Sequence, residues 1–397
     1  MKIQTDNWKS FRLKDIAVIS TGSTPPTKNR ENFGDEYGFA TPGDICGTRF
    51  IKQTAIKLSN KGIIKTRLAR EGSVLFVCIG STIGKVAQIA EAMAYNQQIN
   101  ACTAKEGVDQ SFFYYALLNC SSMVRRMAGT QAVPIVNKST FQHIQINLPP
   151  IAEQRKIAAI LSAQDRVIEL KTRLLEEKKQ LKKYLCHVLL SGRKRFPEYN
   201  KPWVKKRLGS ILQGRSETCG DRLLSVYSVS VDCGVVDQIK HLGRSYAAKD
   251  ISKYTVVEEG DVVYTKSPTG MFPFGIIKQS QMVNPGVVSP LYAVYKPSSV
   301  GAGYLLHTYF SYPINTKNYL RSLIQRGPKN TMSISNEDFI KKSMIFPVDL
   351  DEVARLADLF KQIDREIRTM SDTIEQEKLK KKALMQQLLT GKVRVSV

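Results

Sequence analysis

In GSTIGK, from Gly80 to Lys85, two glycines precede a lysine in the manner of a phosphate-binding loop. That chemistry needs four residues between the glycines, so that backbone N–H groups wrap the phosphates, and a Ser or Thr hydroxyl after the lysine to hold the metal. Here the spacer is one residue short and Val86 follows the lysine, which leaves a loop between strands. No N-P-P-Y or N-P-P-F run is present to hold the amino group of a target base, and no glycine-rich fingerprint follows a strand. Glu176–Lys178 has E-x-K spacing but falls on a charged helix face. His143, His187, His241 and His307 lack the H-x-E, H-E-x-x-H or triad surroundings of a metal or nucleophile site, so each reads as structural or surface. The seven cysteines are odd in number and contain no C-x-x-C, which fits reduced thiols in a cytoplasmic protein better than a zinc ribbon or a disulfide framework.

What remains is a scatter of cationic and amide side chains in candidate loops. The first part of the chain offers Arg49, Lys85, Arg125, Arg126, Gln131, Asn137 and Lys138; the second offers Arg244, Lys266, Arg326, Lys329 and Asn330. Arg and Lys neutralise phosphates, while Arg, Asn and Gln also pair with base edges. The totals point the same way. Lys plus Arg is 59 against 35 for Asp plus Glu, a formal net charge of +24, which favours an anionic partner. Nucleic acid is preferred to membrane, because no apolar run approaches the roughly 20 residues of a spanning helix. The opening MKIQTDNWKSF has no apolar segment of the signal-peptide kind.

The elements that must position these side chains are written twice. A shift of 199 residues carries Glu153 onto Glu352, Asp165 onto Asp364, Ile168 onto Ile367 and Leu185 onto Leu384, and lays LLSGRKR (Leu189 to Arg195) over LLTGKVR (Leu388 to Arg394). A shift of 195 matches WKSFRLKDI at Trp8 with WVKKRLGSI at Trp203. The chain is two copies of one unit, each a variable block followed by a helical segment of about 45 residues, as in a tandem duplication. No proline or glycine interrupts Ile151 to Leu190 or Asp349 to Leu389, so each predicts a rod of ~60 Å. Gly192 and Gly391 stand where a C′ glycine ends a helix, and Glu153 suits the positive end of the first helix dipole.

The second rod carries two heptad columns: Val353, Phe360, Ile367, Ile374, Lys381, Leu388, and Leu356, Ile363, Met370, Glu377, Leu384. Its two polar members, Glu377 and Lys381, are spaced to pair with each other at i,i+4. The first rod offers neighbouring columns, Ile160, Val167, Leu174, Leu181, Val188 and Leu161, Ile168, Leu175, Lys182, Leu189. These predict coiled-coil seams. Antiparallel packing of the rods would set two globular heads at the ends of a spacer, related by a pseudo-two-fold. The heads read as mixed α/β: GSVLFVCIG (Gly72 to Gly80) and YTVVEEGDVVYTK (Tyr254 to Lys266) as strands, Ser111 to Gly129 as a helix with a basic end, and Gly303 to Leu320 as its counterpart broken at Pro313.

LPPIAEQRKIAAIL at Leu148 and LLSGRKRF at Leu189, with STPPTKNRENFGDEYGFATPGDI at Ser23, TIGKVA at Thr82, SKYTVVEEGDVVY at Ser252 and GVVSPLYAVY at Gly286, resemble the DNA-specificity subunits of type I restriction–modification systems. The second rod opens FPVDLDEV and departs from the family's P-P-x-x-E-Q pattern. The resemblance implies an α+β fold in which two mixed α/β target-recognition domains are separated by two long antiparallel coiled-coil helices in a pseudo-two-fold repeat. The boundaries expected are 1–148 for the first recognition domain, 149–195 for the first spacer helix, 196–347 for the second domain and 348–397 for the second helix. It further implies a subunit with no active site and no cofactor of its own, reading a split asymmetric target in double-stranded DNA. Two methyltransferase subunits would dock on it and, where restriction accompanies modification, ATP-dependent translocating nuclease subunits. A coiled-coil scaffold whose heads bind protein or RNA, and the DNA-reading subunit of a two-component type II system, are the alternatives. Salt-dependent, sequence-selective duplex binding separates the first of these from the leading reading.

Overall fold

The computed structural model describes the chain except residues 1–6, 130–132, 327–331 and 397, with backbone alone at Gln325–Arg326 and Met332–Ser333. It divides into two compact units, Met1–Arg173 with Ser371–Val397, and Leu174–Met370. Each unit takes half of each long helix. The helices are Ile151–Leu189 and Leu350–Leu388, 39 residues each, within one residue of the uninterrupted stretches in the sequence. Both stop at glycine in the left-handed region, Gly192 at φ 70° and Gly391 at φ 71°. Beyond them the Lys194 and Val393 N–H groups close back on the carbonyls of Val188 and Gln387, satisfying acceptors the helix end leaves open.

In the first unit a five-stranded sheet runs in the order Ala17–Thr21, Ile99–Ala104, Val74–Val77, Val86–Ile89, Phe50–Ile51, antiparallel except for its last pair. A second sheet has the order Ile56–Leu58, Phe33–Ala40, Met93–Tyr95, Leu68–Ala69. The second unit repeats the plan with Leu212–Gly214, Tyr292–Pro297, Val262–Thr265, Ile276–Gln279, and a second sheet of Gly234–Asp237, Ser225–Ser230, Gly286–Val288, Thr255–Val257. The two strand-like runs within Tyr254 to Lys266 therefore belong to different sheets. The helix Gln110–Met127 is capped by the Asp109 carboxylate, which accepts from the Phe112 N–H at 2.8 Å. Its counterpart splits as expected: Val300–Phe310 ends and Pro313–Leu320 starts with proline in its first turn, where no N–H is needed.

Each unit buries one end of each long helix in its own core. In the first, Ile157, Ala158 and Leu161 of one helix and Met385 and Leu388 of the other join Phe76, Phe112, Phe113 and Phe141. In the second, Leu356, Ala357 and Phe360 and, from the other helix, Cys186 and Leu189 join Tyr264, Tyr295, Phe310 and Phe339. Every one of these helix positions maps onto its counterpart by the shift of 199. Full burial of side chains of this size contributes roughly 1.5–3 kcal/mol each.

The same shift relates the buried charges. In the first unit Arg394 holds Glu153 by two bonds, Nε to Oε1 at 2.7 Å and Nη2 to Oε2 at 2.9 Å. In the second Arg195 holds Glu352 at 2.8 and 2.7 Å, and the Trp203 indole donates to the same carboxylate at 3.0 Å. Further along, Asp165 pairs with Lys381 at 2.5 Å and accepts from the Tyr115 hydroxyl at 2.7 Å. Asp364 pairs with Lys182 at 2.5 Å and accepts from Tyr304 at 2.8 Å. Within each unit the helix halves run antiparallel, since residue numbers rise on one as they fall on the other.

Two expectations are corrected here. Glu377 and Lys381 do not pair with each other: Glu377 accepts from Lys171 and Gln164, each at 2.7 Å, while Lys381 turns to Asp165. A carboxylate facing a partner helix gains more from a cation across the interface than from one on its own surface. The column Val167, Leu174, Leu181 is exposed, and the inward column of the first helix beside Leu161, Ile168, Leu175, Lys182, Leu189 is Gln164, Lys171, Lys178, Leu185. Lys171 and Lys178 lay their alkyl stems along the interface and end on Glu377 and Glu366. Both columns of the second helix are turned inward as expected.

The Glu352 side chain is 1% exposed and its partner Arg195 20%, against 3% and 38% for Glu153 and Arg394. Removing one partner of a buried pair leaves an uncompensated charge and costs about 3–5 kcal/mol. Arg195→Met is expected near the lower end of that range and Arg394→Met below it, because Arg394 is better hydrated. The chain has two tryptophans, one in each unit, so urea unfolding of Trp8→Phe and Trp203→Phe backgrounds reads each clamp separately. Equal losses for the two arginines would contradict the ranking.

Candidate nucleic-acid interface

The strand order of the first unit gathers several loops at one end of its larger sheet. Ala17–Thr21 ends there, Ile99–Ala104 begins there, and the turn from Val74–Val77 to Val86–Ile89 lies between. Cross-loop bonds tie them: Gly22 N–H to Ile99 O at 3.0 Å, Cys78 N–H to Gln98 O at 2.9 Å, and Gly80 N–H to Pro134 O at 2.9 Å. The end of Gln110–Met127 reaches the same turn, where Arg125 Nε donates to Ile83 O at 3.2 Å and the Ser121 hydroxyl donates to Gly84 O. Gln154 holds the opposite end of the sheet, accepting from the Asp109 N–H at 2.9 Å and donating to Gly107 O at 3.3 Å. The E-Q pair of the motif thus has two jobs: Glu153 takes the arginine and Gln154 fixes the helix to the sheet.

Lys85, Arg125, Asn137 and Lys138 come together on this rim, and Arg126 is exposed beside Arg125. Lys85 reaches Pro42 O at 3.1 Å and borders a shallow cleft of about 410 Å³ with Cys46, Gly84 and Tyr114. Asn137 is the N-cap of Lys138–Gln142, its side-chain oxygen accepting from Thr140 N–H at 2.8 Å, so it is held by the backbone. Arg49 stands apart. It donates to Gln88, Ser111 and Ser162 at 2.9, 2.6 and 2.7 Å and lies over the Phe50, Tyr114 and Tyr115 rings, a bracket between sheet, helix and long helix. Gln131 lies outside the described residues. The rim also carries amides the sequence reading did not single out: Thr24 donates to Gln97 Oε1, Asn96 donates to Thr24, and Asn100 joins Thr21 to the Cys78 sulfur. The signal was the amide-rich run YNQQIN at Tyr95.

In the second unit Lys266 follows the corresponding strand, at the head of the loop to Ile276–Gln279. Arg244 is exposed, stacks on Tyr246 at 4.5 Å and donates to its hydroxyl at 2.6 Å. Arg326 is in a short strand paired with Met332–Ser333. Lys329 and Asn330 lie outside the described residues. A further cation is buried: Lys278 Nζ donates to Ser311 Oγ at 3.1 Å, beside His307, whose Nδ1 accepts from the Gln279 N–H at 3.1 Å. Burial first, and then the charge of Lys182, bring the Lys278 ammonium down to about 8. Burial likewise holds His307 neutral, in keeping with a structural histidine.

Residues 5–180 match the family described as the type I restriction modification DNA specificity domain. The match covers the first unit's sheets and most of the first long helix. Relatives of greater span extend the likeness beyond these residues. The type I restriction enzyme MjaVIII specificity subunit of Methanocaldococcus jannaschii is 23% identical over 98% of this chain and 94% of its own. The MjaIX specificity subunit of the same organism is 29% identical over 54% of each, so the chain spans about half the length of that relative. Among solved structures, the type I restriction–modification S subunit from M. genitalium covers 98% of both chains at 14% identity and a TM-score of 0.61, and so shares the fold. A chain from a study of complex assembly and conformational transition in the type I system covers 98% of this chain and 99% of its own at 17% identity and a TM-score of 0.56. Over nearly its whole length the chain resembles type I specificity subunits. Among the described residues no helix is long and apolar enough to cross a membrane.

Two expected outcomes follow from the side chains in place. Asn137→Ala removes a cap and costs about 1 kcal/mol of stability, with duplex preference unchanged; a changed base preference at full stability would make Asn137 a reader. Lys278 binds its proton less tightly folded than unfolded. The folded form therefore holds fewer protons above about pH 8, and stability should rise between about pH 8 and 10. Lys278→Met should abolish that rise and add up to about 3 kcal/mol at pH 7, read by denaturant midpoints across pH.

Proposed function

We propose that the chain is the non-catalytic DNA-recognition subunit of a type I restriction–modification complex. Each unit reads one part of a split asymmetric target in double-stranded DNA. The two long helices form an antiparallel coiled coil that spaces the readers, in a pseudo-two-fold arrangement. Two methyltransferase subunits dock on this platform and supply the S-adenosylmethionine chemistry, and ATP-dependent restriction subunits complete the nuclease. The observation that carries this reading is the rim of the first unit. It sits within the matched DNA specificity domain and sets Lys85, Arg125, Arg126 and Lys138 beside the amides of Asn96 and Gln97. Cations there neutralise phosphates, and amides whose rotamers are already fixed read base edges at low entropic cost. The net charge of +24 supports it. In this reading Arg126, Lys138 and Lys266 are phosphate contacts, and Arg244 is a reader stiffened by its tyrosine.

Arg126→Ala should weaken duplex binding about equally for all sequences and lower the slope of log K against log salt by about one. Full affinity with an unchanged slope would make it a bystander. The spacer is tested by inserting seven helix-forming residues into both long helices, between residues 173 and 174 and between 370 and 371. A heptad preserves the apolar columns and leaves both arginine clamps intact. The helices lengthen by ~10 Å, about three base pairs. Mapping methylated sites with the partner methyltransferase should return the same bases with a wider gap. An unchanged gap would refute the spacer, and absence of sequence-selective binding by the natural chain would favour a scaffold for protein or RNA.

A further inference from the structure

The loop between Val262–Thr265 and Ile276–Gln279 ends in a tight hairpin whose tip is Gly270–Met271. The Thr269 N–H donates to Phe272 O at 3.0 Å and the Phe272 N–H returns to Thr269 O at 2.9 Å. Gly270 at the turn has φ +52°, with open space on its Cβ side. The base of the loop is fixed. Phe272 is buried, Tyr264 donates its hydroxyl to Phe274 O at 2.8 Å, and Gly275, at φ +99°, lies so close to the Thr265 carbonyl that a Cβ would sit 1.8 Å from it. At the tip of this braced structure Met271 is 77% exposed. Strand register sets Thr265 opposite Tyr292, so the next residue, Lys266, stands across from Leu291, which is also exposed. The loop follows the same strand of the second unit as Gly80–Lys85 does in the first.

A large apolar side chain is costly to leave in water, and a loop tip has no core to give it. Here the backbone holds it outward, at the tip of a loop that Lys266 opens, in a chain read as binding duplex DNA. Apolar wedges of this kind enter between base pairs, unstack one step and kink the duplex, with cations beside them on the phosphates. We propose that Met271 is a wedge: on binding, its thioether side chain inserts at a base step within the second half of the target, with Lys266 on the flanking phosphate. The inference rests on the DNA-recognition reading. It adds that the second half of the target is selected partly by how easily one step unstacks, pyrimidine–purine steps most readily.

The test uses the full chain and a duplex carrying its methylation-mapped target, with 2-aminopurine replacing each adenine of the second half in turn. Binding should brighten the probe at one step and bend the duplex, as read by energy transfer between its ends. Met271→Ala should abolish both signals and weaken specific binding by about tenfold, leaving non-specific binding unchanged; Met271→Leu should restore them. If Met271→Ala binds and bends like the natural chain, or if no position brightens with either, the wedge is refuted while the recognition reading stands. If the natural chain binds the target no better than random duplex, both fall. Because Met271 is exposed and makes no core contact, its alanine variant tests the contact and not the fold.

Discussion

The architecture depends on a carboxylate at the start of each long helix gripped by an arginine just past the end of the other. Glu153 with Arg394, and Glu352 with Arg195, are two-bonded pairs with the carboxylate almost wholly removed from water. A buried carboxylate is tolerable only if both oxygens are met by charge-assisted bonds of good geometry, and a planar guanidinium supplies them in a way a lysine cannot. The requirement reaches outward. The arginine must follow a helix that stops at the right turn, which the left-handed glycines at 192 and 391 provide, and the glutamate must open a helix whose first turn lies against the sheet. The second clamp is the more completely satisfied, with the Trp203 indole on Glu352. The Trp8 indole, its sequence counterpart, has no acceptor among the described residues.

Inside these clamps the Asp–Lys–Tyr groups tie each helix pair to the helix that flanks the sheet. Asp165 and Asp364 each take a lysine from the facing helix and a tyrosine hydroxyl from the helix that flanks the sheet. The flanking helix carries Arg125 and Arg126 at its far end in the first unit. Each aspartate thus ties its own long helix to the facing helix and to the flanking helix at one point. Arg49 reinforces the link through Ser162 and Ser111. Its guanidinium is better understood as structural than as a DNA contact, because its Nε and both terminal nitrogens already have acceptors.

Much of this was legible in the sequence because it repeats. The shift of 199 placed Glu153, Asp165 and Arg195 on their counterparts before any contact was known, and unbroken stretches closed by glycine gave the helices to within a residue. The seam of the second helix was legible because nine of its eleven positions are apolar in a strict heptad. Half of the first seam was hidden because Gln164, Lys171 and Lys178 occupy it: polar heads on buried stems look like surface to a hydrophobicity pattern. The sheets were less readable, since strands of two to eight residues pair with partners far away, and nothing local tells that Thr255–Val257 and Val262–Thr265 enter different sheets. The roles of Arg49 and Asn137 were hidden for a similar reason. A side chain fit to read a base is equally fit to cap a helix or bracket two elements, and only its neighbours decide.

The clamps also explain how such a regular pair of helices keeps one register. Apolar columns that repeat every seven residues are nearly as well satisfied after a slip of seven, so the seam by itself leaves register weakly determined. After such a slip Glu153 and Glu352 would stay buried at their helix starts while Arg394 and Arg195 moved away by ~10 Å, beyond any hydrogen bond. Two buried, uncompensated carboxylates would then cost several kcal/mol each, and Asp165 and Asp364 would lose Lys381 and Lys182 in the same step. Ion pairs that add little net stability over an apolar replacement can still separate the correct register from its nearest competitor by a wide margin. In a protein whose helices are read as a spacer, that margin matters more than stability, because every register error would be an error in length.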